Sequence, residues 1–203
     1  MTVTAEPRSS LRDELDIWIE RRMALHGTPG ISIVATDREK TLWAKGYGFP
    51  HLAAGQPVTP GTLLEPGSIG KSFTALLLLR MQERGQVDLQ APVSAYLPWF
   101  AVKSEYEPIT IAHLLSHTGG IISGTDFAAE SRYEAWMLRE MAVSGPPGVN
   151  YAYSNIGYKV LGFLIEDVLG KSYGQAITEE ILAPLGMNES VVPITDADRH
   201  RIA

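Results

Sequence analysis

Ser68 and Lys71 are the first residues whose types and spacing could support covalent chemistry. They lie three residues apart near the start of a predicted helix over residues 65–85, so they share one helical face with Cβ atoms about 5–6 Å apart. A helix N-terminus favours negative charge, and a hydroxyl beside an ammonium there could carry out acyl transfer. The tetrapeptide alone is weak evidence, because a capping serine and a solvated lysine have the same spacing.

Tyr153 and Asn155 form a second polar pair. They follow a Pro-Pro-Gly loop at 146–148 and precede a segment, 156–169, whose apolar spacing predicts a helix. Because the loop is stiff, it could hold a phenol and a carboxamide against Ser68.

The elements that must position these residues are a helix, a hairpin and then several helices. Ser10 and Asp13 match a capping box for the first helix. The β-rich runs 31–36 and 41–47 flank a polar turn and predict a hairpin, with a further short strand at 62–64. After Gly85 the patterns are mainly helical, including 131–143 and 173–182. Two strands alone make a marginal sheet, so the chain looks unfinished.

These motifs resemble the serine β-lactamase and penicillin-binding-protein-like hydrolases, nearest to class C β-lactamases, D-alanyl-D-alanine carboxypeptidases and β-lactamase-like esterases. The resemblance covers residues 29–187 and rests on two motifs, SIGK at 68–71 and YSN at 153–155. The phrases ITI at 109–111, LLSHTGG at 114–120 and PLGM at 184–187 support it. It implies an α+β fold of the β-lactamase/transpeptidase type, with a mostly helical lobe and an incomplete antiparallel sheet.

The family's third motif, K-T-G or H-x-G, has no match after Asn155. His117-Thr118-Gly119 looks similar but precedes Tyr153, so it is interpreted as a structural helix end. The resemblance therefore implies that 1–203 is a single domain lacking its C-terminal part. Residues 1–64 would supply a helix and hairpin, and residues 65–203 the mostly helical lobe that carries the serine.

By resemblance, Ser68 is the nucleophile of an acyl-enzyme, Lys71 and Tyr153 share the proton transfers, and Asn155 orients Lys71 and the substrate. The Ser68 backbone N–H supplies one oxyanion donor. In the family that the chain resembles, the second donor comes from the strand of the third motif. That motif has no match here, and losing one such donor costs about 10²–10³ in rate. A weak or inactive hydrolase of an ester, a β-lactam or a D-amino-acid peptide is expected. The alternative is a catalytically dead penicillin-binding or interaction remnant.

The resemblance implies a small-molecule ester, β-lactam or peptide as the partner, and composition argues against other classes of partner. The net charge is −6 without a basic stripe, which argues against nucleic acid, and the absence of cysteine excludes disulfides and thiolate sites. No apolar run approaches the roughly 20 residues of a membrane span, and no cofactor is expected. The N-terminus lacks an apolar leader, so a cytoplasmic location is expected. An exposed edge of the hairpin is a hypothesis for self-association.

Other motifs are weaker. Pro66 replaces the first glycine of a G-x-S-x-G nucleophile elbow. His113 and His117 have the spacing of H-E-x-x-H, but Leu114 stands where the glutamate would be. The glycine-rich segments match neither a phosphate loop nor a dinucleotide fingerprint, and Tyr151 is assigned to packing.

Overall fold

The structure, a computed structural model, describes residues 11–49, 56–124 and 130–202. The chain divides into two compact units: residues 1–65 with 194–203, and residues 66–193. The capping serine predicted at Ser10 lies outside the described residues, as do residues 50–55 between the predicted hairpin and the predicted strand at 62–64. Within the described ranges, no helix is both long and apolar enough to cross a membrane.

The first unit contains helix α1 (Leu11–His26) and the predicted hairpin, which the structure confirms. Strands β1 (Gly30–Thr36) and β2 (Thr41–Gly48) pair antiparallel. The Asp37 side chain closes the turn by accepting the backbone N–H groups of Glu39 and Lys40, both at 2.8 Å.

Polar contacts join α1 to β2 at Asp16. This carboxylate accepts a hydrogen bond from Lys45 Nζ at 2.5 Å and another from the Tyr47 hydroxyl. Burial and then the bonded Asp16 raise the pKa of the Tyr47 phenol above its ordinary value. The strand predicted at 62–64 is only one parallel bridge between Leu63 and Ile202.

The second unit holds the remaining α-helices of the described chain. They are α2 (Gly70–Glu83), α3 (Ile111–Leu115), α4 (Ser131–Trp136), α5 (Asn155–Leu169) and α6 (Tyr173–Ile177). Helix α5 packs in the core, because its apolar stripe of Val160, Leu161, Leu164 and Ile165 is fully buried. Gly170 ends it in the left-handed conformation that glycine adopts without a Cβ penalty.

Helix α2 follows a 3₁₀ turn at Gly67–Ile69, and Gly85 follows its end with a φ of +70°. The run 73–79 is apolar on nearly every face and predicts a helix in the middle of the domain. This prediction is wrong in part. Leu77 and Leu78 are fully buried, whereas Leu79 is 50% exposed. One face of α2 packs on the helical core while the opposite face is open to solvent.

The helix predicted over 131–143 is shorter than its pattern. It passes into a 3₁₀ turn at Met137–Glu140, and the next residues run alongside Lys103. The Lys103 N–H donates to Met141 O at 2.9 Å, and the Val143 N–H donates to Lys103 O at 3.1 Å. These tertiary backbone hydrogen bonds replace the helical ones that the sequence pattern favours.

Candidate active site

Ser68 and Lys71 lie where the 3₁₀ turn at Gly67–Ile69 leads into α2. Lys71 Nζ donates to Ser68 Oγ at 3.2 Å. The two side chains are therefore in direct contact, as their spacing on one helical face predicts. A serine hydroxyl in this position has a cationic neighbour within hydrogen-bond distance.

Tyr153 brings a phenol to the same hydroxyl. Ser68 Oγ and Tyr153 Oη lie 2.6 Å apart, and either can act as the donor. Lys71 Nζ lies 4.9 Å from the centre of the Tyr153 ring, within cation–π range. The structure thus joins residues 85 positions apart into one cluster in which Ser68 contacts both possible proton carriers.

The segment that carries Tyr153 is fixed by its backbone. The Ala152 N–H donates to His117 O at 2.7 Å, and the Gly148 N–H donates to Thr118 O at 2.8 Å. On the other side, the Asn155 N–H donates to Ser123 O at 2.7 Å. The Pro-Pro-Gly loop therefore leads into a chain held on both sides of Tyr153.

Ser154 caps the N-terminus of α5 next to the site. Its side chain is buried, accepts the Gly157 N–H at 3.0 Å and donates to Ile122 O at 2.7 Å. The first contact is an N-cap, which satisfies a backbone donor that the helix itself leaves unpaired. Since Ser154 lies between Tyr153 and Asn155, this cap fixes the backbone that carries both candidate site residues.

Aromatic rings pack against the cluster. The His117 ring centre lies 4.5 Å from that of Tyr153 and 5.0 Å from that of Tyr158. Tyr158 donates its hydroxyl to Leu115 O at 2.9 Å, and its ring centre is 5.7 Å from Lys71 Nζ. Burial and then the nearby Tyr153 and Tyr151 raise the pKa of Tyr158. A protonated Tyr158 is consistent with a packing and hydrogen-bonding role.

His113 lies in α3 and His117 lies just after it, and both side chains accept backbone hydrogen bonds. His113 Nδ1 accepts from Thr110 N at 3.2 Å in a capping box, and His117 Nδ1 accepts from Ser154 N at 3.1 Å. Burial lowers the pKa of both side chains, and the positive charge of Lys71 lowers that of His117 further. Neutral rings are required for these acceptor roles.

Asn155 opens α5 and lines a cavity of about 410 Å³ together with Lys71. Other lining residues come from α2, α5 and α6, among them Thr74, Phe163 and Tyr173. The cavity therefore begins at the lysine of the cluster and continues between aromatic rings and polar or charged side chains, among them Lys159 and Glu166. A small-molecule site needs such polar groups to orient its ligand.

Of the four sequence-predicted site residues, the structure brings Ser68, Lys71 and Tyr153 into contact and places Asn155 on the cavity shared with Lys71. Sequence reasoning missed Ser154 and the contact between His117 and Tyr153. The N-cap was detectable, because a serine directly precedes the apolar helical pattern. The His117 contact had no local sequence signal, since it depends on tertiary packing.

Comparison with known proteins gives the context of this geometry. The beta-lactamase family model matches residues 15–203. Protein flp of Staphylococcus aureus (strain MW2) is 31% identical over 194 residues, covering 91% of this chain and 39% of that protein. Penicillin-binding protein 4 of Amycolatopsis lactamdurans is 31% identical over 198 residues, covering 92% and 51%. The chain thus spans about half or less of the length of these curated relatives.

A solved structure confirms the expected fold. A class C beta-lactamase in complex with cefoxitin superposes with a TM-score of 0.84 at 29% identity, over 95% of this chain and 54% of that one. The predicted α+β, β-lactamase/transpeptidase-like fold, with its two-stranded antiparallel sheet in the described residues, is confirmed. The chain belongs to the beta-lactamase family of serine β-lactamases and penicillin-binding proteins.

Proposed function

We propose that this chain carries the nucleophilic part of a serine hydrolase that acts through an acyl-enzyme. The observation that supports the proposal most directly is the contact of Ser68 Oγ with both Tyr153 Oη, at 2.6 Å, and Lys71 Nζ, at 3.2 Å. Family membership supports it independently.

In the proposed reaction, Ser68 Oγ forms a bond to the substrate carbonyl carbon and loses its proton to the Tyr153–Lys71 pair. The bond from carbon to the leaving group then breaks, and the leaving group receives that proton. Water completes the cycle by hydrolysing the acyl-enzyme, with the proton transfers in reverse. Since Ser68 Oγ contacts both groups, either one is placed to take its proton.

The proposed role of Asn155 is to orient the substrate. Its place on the cavity with Lys71 supports this role. The proposed substrate class is an ester, a β-lactam or a D-amino-acid peptide, since the similar class C structure holds cefoxitin and a similar curated protein is a penicillin-binding protein. Location in the cytoplasm, self-association through the hairpin edge and the division of one domain at residues 64 and 65 also remain proposals.

The test is intact-mass spectrometry after incubation with a penicillin and with a fluorophosphonate. An adduct on the wild type that is absent from a folded Ser68→Ala variant supports the proposal. A stable penicillin adduct without turnover favours the penicillin-binding alternative, and turnover of a p-nitrophenyl ester that Ser68→Ala abolishes favours a hydrolase. A folded wild type that gains no adduct from either reagent contradicts the proposed nucleophile.

A further inference from the structure

His117 is unusual in its backbone as well as its contacts. It has a φ of +57°, and it is the non-glycine residue with positive φ in the described part of the chain. This left-handed conformation is uncommon for residues with a side chain. His117 follows the end of α3 and turns its imidazole toward the segment 151–154. A residue whose role was only to end the helix would be expected to be glycine or asparagine.

The imidazole makes two separate contacts with the segment that carries the candidate catalytic phenol. Its Nδ1 accepts the Ser154 N–H at 3.1 Å, which fixes the backbone immediately after Tyr153. Its ring lies 4.5 Å from the Tyr153 ring with an interplanar angle of 36°. The backbone carbonyl of His117 adds a third contact by accepting the Ala152 N–H at 2.7 Å.

From these contacts we propose that His117 is a positioning residue for Tyr153, holding the phenol against Ser68 through the Ser154 backbone and through its ring. The inference rests on the proposed function, in which Tyr153 must be within proton-transfer distance of Ser68. His117 itself acts through Tyr153 and is not a proton carrier.

This role requires a neutral imidazole. Protonation at Nδ1 would replace an acceptor by a donor that faces the Ser154 N–H. The surroundings of the ring also disfavour a positive charge on it, because burial and then the charge of Lys71 on α2 lower the pKa of His117. The other titratable groups facing it are phenols from the preceding segment and from α5: Tyr151, Tyr153 and Tyr158.

Two substitutions separate the side-chain contacts from the backbone conformation. His117→Gly removes both contacts and accepts a positive φ without strain. His117→Asn also tolerates a positive φ, and its Oδ1 can accept the Ser154 N–H. His113→Asn is the matched control, because His113 lies one turn earlier and its Nδ1 bonds to Thr110.

The measurement is the rate of acylation of Ser68 by a fluorophosphonate as a function of pH. We expect His117→Gly to lose about tenfold or more, since small misplacements of a reacting group have large effects on rate. His117→Asn should recover part of that lost rate. In the wild type, protonation of His117 should lower the acylation rate at acid pH, and His117→Asn should lack this part of the decline. His113→Asn stays within about twofold of wild type.

A spectroscopic readout keeps the test independent of activity. In protein labelled with ¹³C-tyrosine, the Tyr153 ring resonance, assigned with Tyr153→Phe, should shift as His117 titrates in the wild type and should not follow that titration in His117→Asn. A wild type that is acylated, with His117→Gly equal to it in rate and pH profile, overturns the role of His117 and leaves the proposed function standing. A wild type that is not acylated overturns the proposed function. In that case the NMR experiment still tests the positioning role, and a Tyr153 resonance that is the same in wild type and His117→Gly overturns it.

Discussion

Replacing Ser154 by alanine should weaken both the fold and the site, because this buried side chain caps α5 directly between Tyr153 and Asn155. The variant leaves the Gly157 N–H without its acceptor at 3.0 Å and removes the donor 2.7 Å from Ile122 O. Loss of a serine N-cap costs about 0.5–2 kcal/mol. A buried donor left unsatisfied costs about 1–3 kcal/mol.

We therefore expect Ser154→Ala to lower the free energy of unfolding by about 2 kcal/mol, at the upper end of the capping range. The matched control is Ser172→Ala. Ser172 caps α6 through the Gln175 N–H at 3.3 Å, but this contact is exposed, so water can replace the lost acceptor. The expected loss for the control is about 0.5–1 kcal/mol.

Urea denaturation followed by circular dichroism measures both variants. In thermal unfolding, a loss of 2 kcal/mol corresponds to about 4–8 °C for a chain of this size. Ser154→Ala should also slow acylation of Ser68, whereas Ser172→Ala should not. Equal destabilisation by the two substitutions would refute the view that the buried cap anchors the site.

Three further predictions concern the core, pH and association. Leu77→Ala should cost about 2–5 kcal/mol by denaturation because Leu77 is fully buried, and Leu79→Ala on the exposed face about 1 kcal/mol or less; similar losses would contradict the packing of α2. Because burial lowers the pKa of His113 and His117 in the fold, the unfolded chain binds more protons below the ordinary histidine value of 6.5, so stability should fall as pH decreases from 6.5 toward the folded pKa values. A double His→Asn variant whose stability keeps the same pH slope would contradict this assignment. Light scattering should show association of the wild type through the hairpin edge. Association should weaken in Val34→Lys, since Val34 is 60% exposed on β1. A wild type that is monomeric at high concentration would count against this hypothesis.

Local sequence patterns predicted the elements whose stability is local. The hairpin and the end of α2 at Gly85 both follow from turn and cap chemistry that involves neighbouring residues. The contact of Ser68 with Lys71 was predictable for the same reason, because helical geometry fixes residues three positions apart.

The remaining features depend on contacts between distant segments. The pattern over 131–143 is helical, but backbone pairing of Met141 and Val143 with Lys103 takes its last residues out of the helix. The proximity of Tyr153 to Ser68 was expected from family resemblance rather than from spacing. The packing of His117 on Tyr153 had no counterpart in the sequence pattern, because tertiary structure alone brings the two rings together.

The rate of Ser68 acylation in two matched tyrosine variants tests the central claim most directly. Tyr153→Phe removes the hydroxyl 2.6 Å from Ser68 Oγ, whereas Tyr151→Phe removes a hydroxyl from a side chain that is 70% exposed. If Tyr153 takes part in proton transfer, fluorophosphonate labelling should slow by about 10²-fold or more in Tyr153→Phe and by less than about twofold in Tyr151→Phe. Equal rates for wild type and a folded Tyr153→Phe variant would contradict the proposed catalytic cluster.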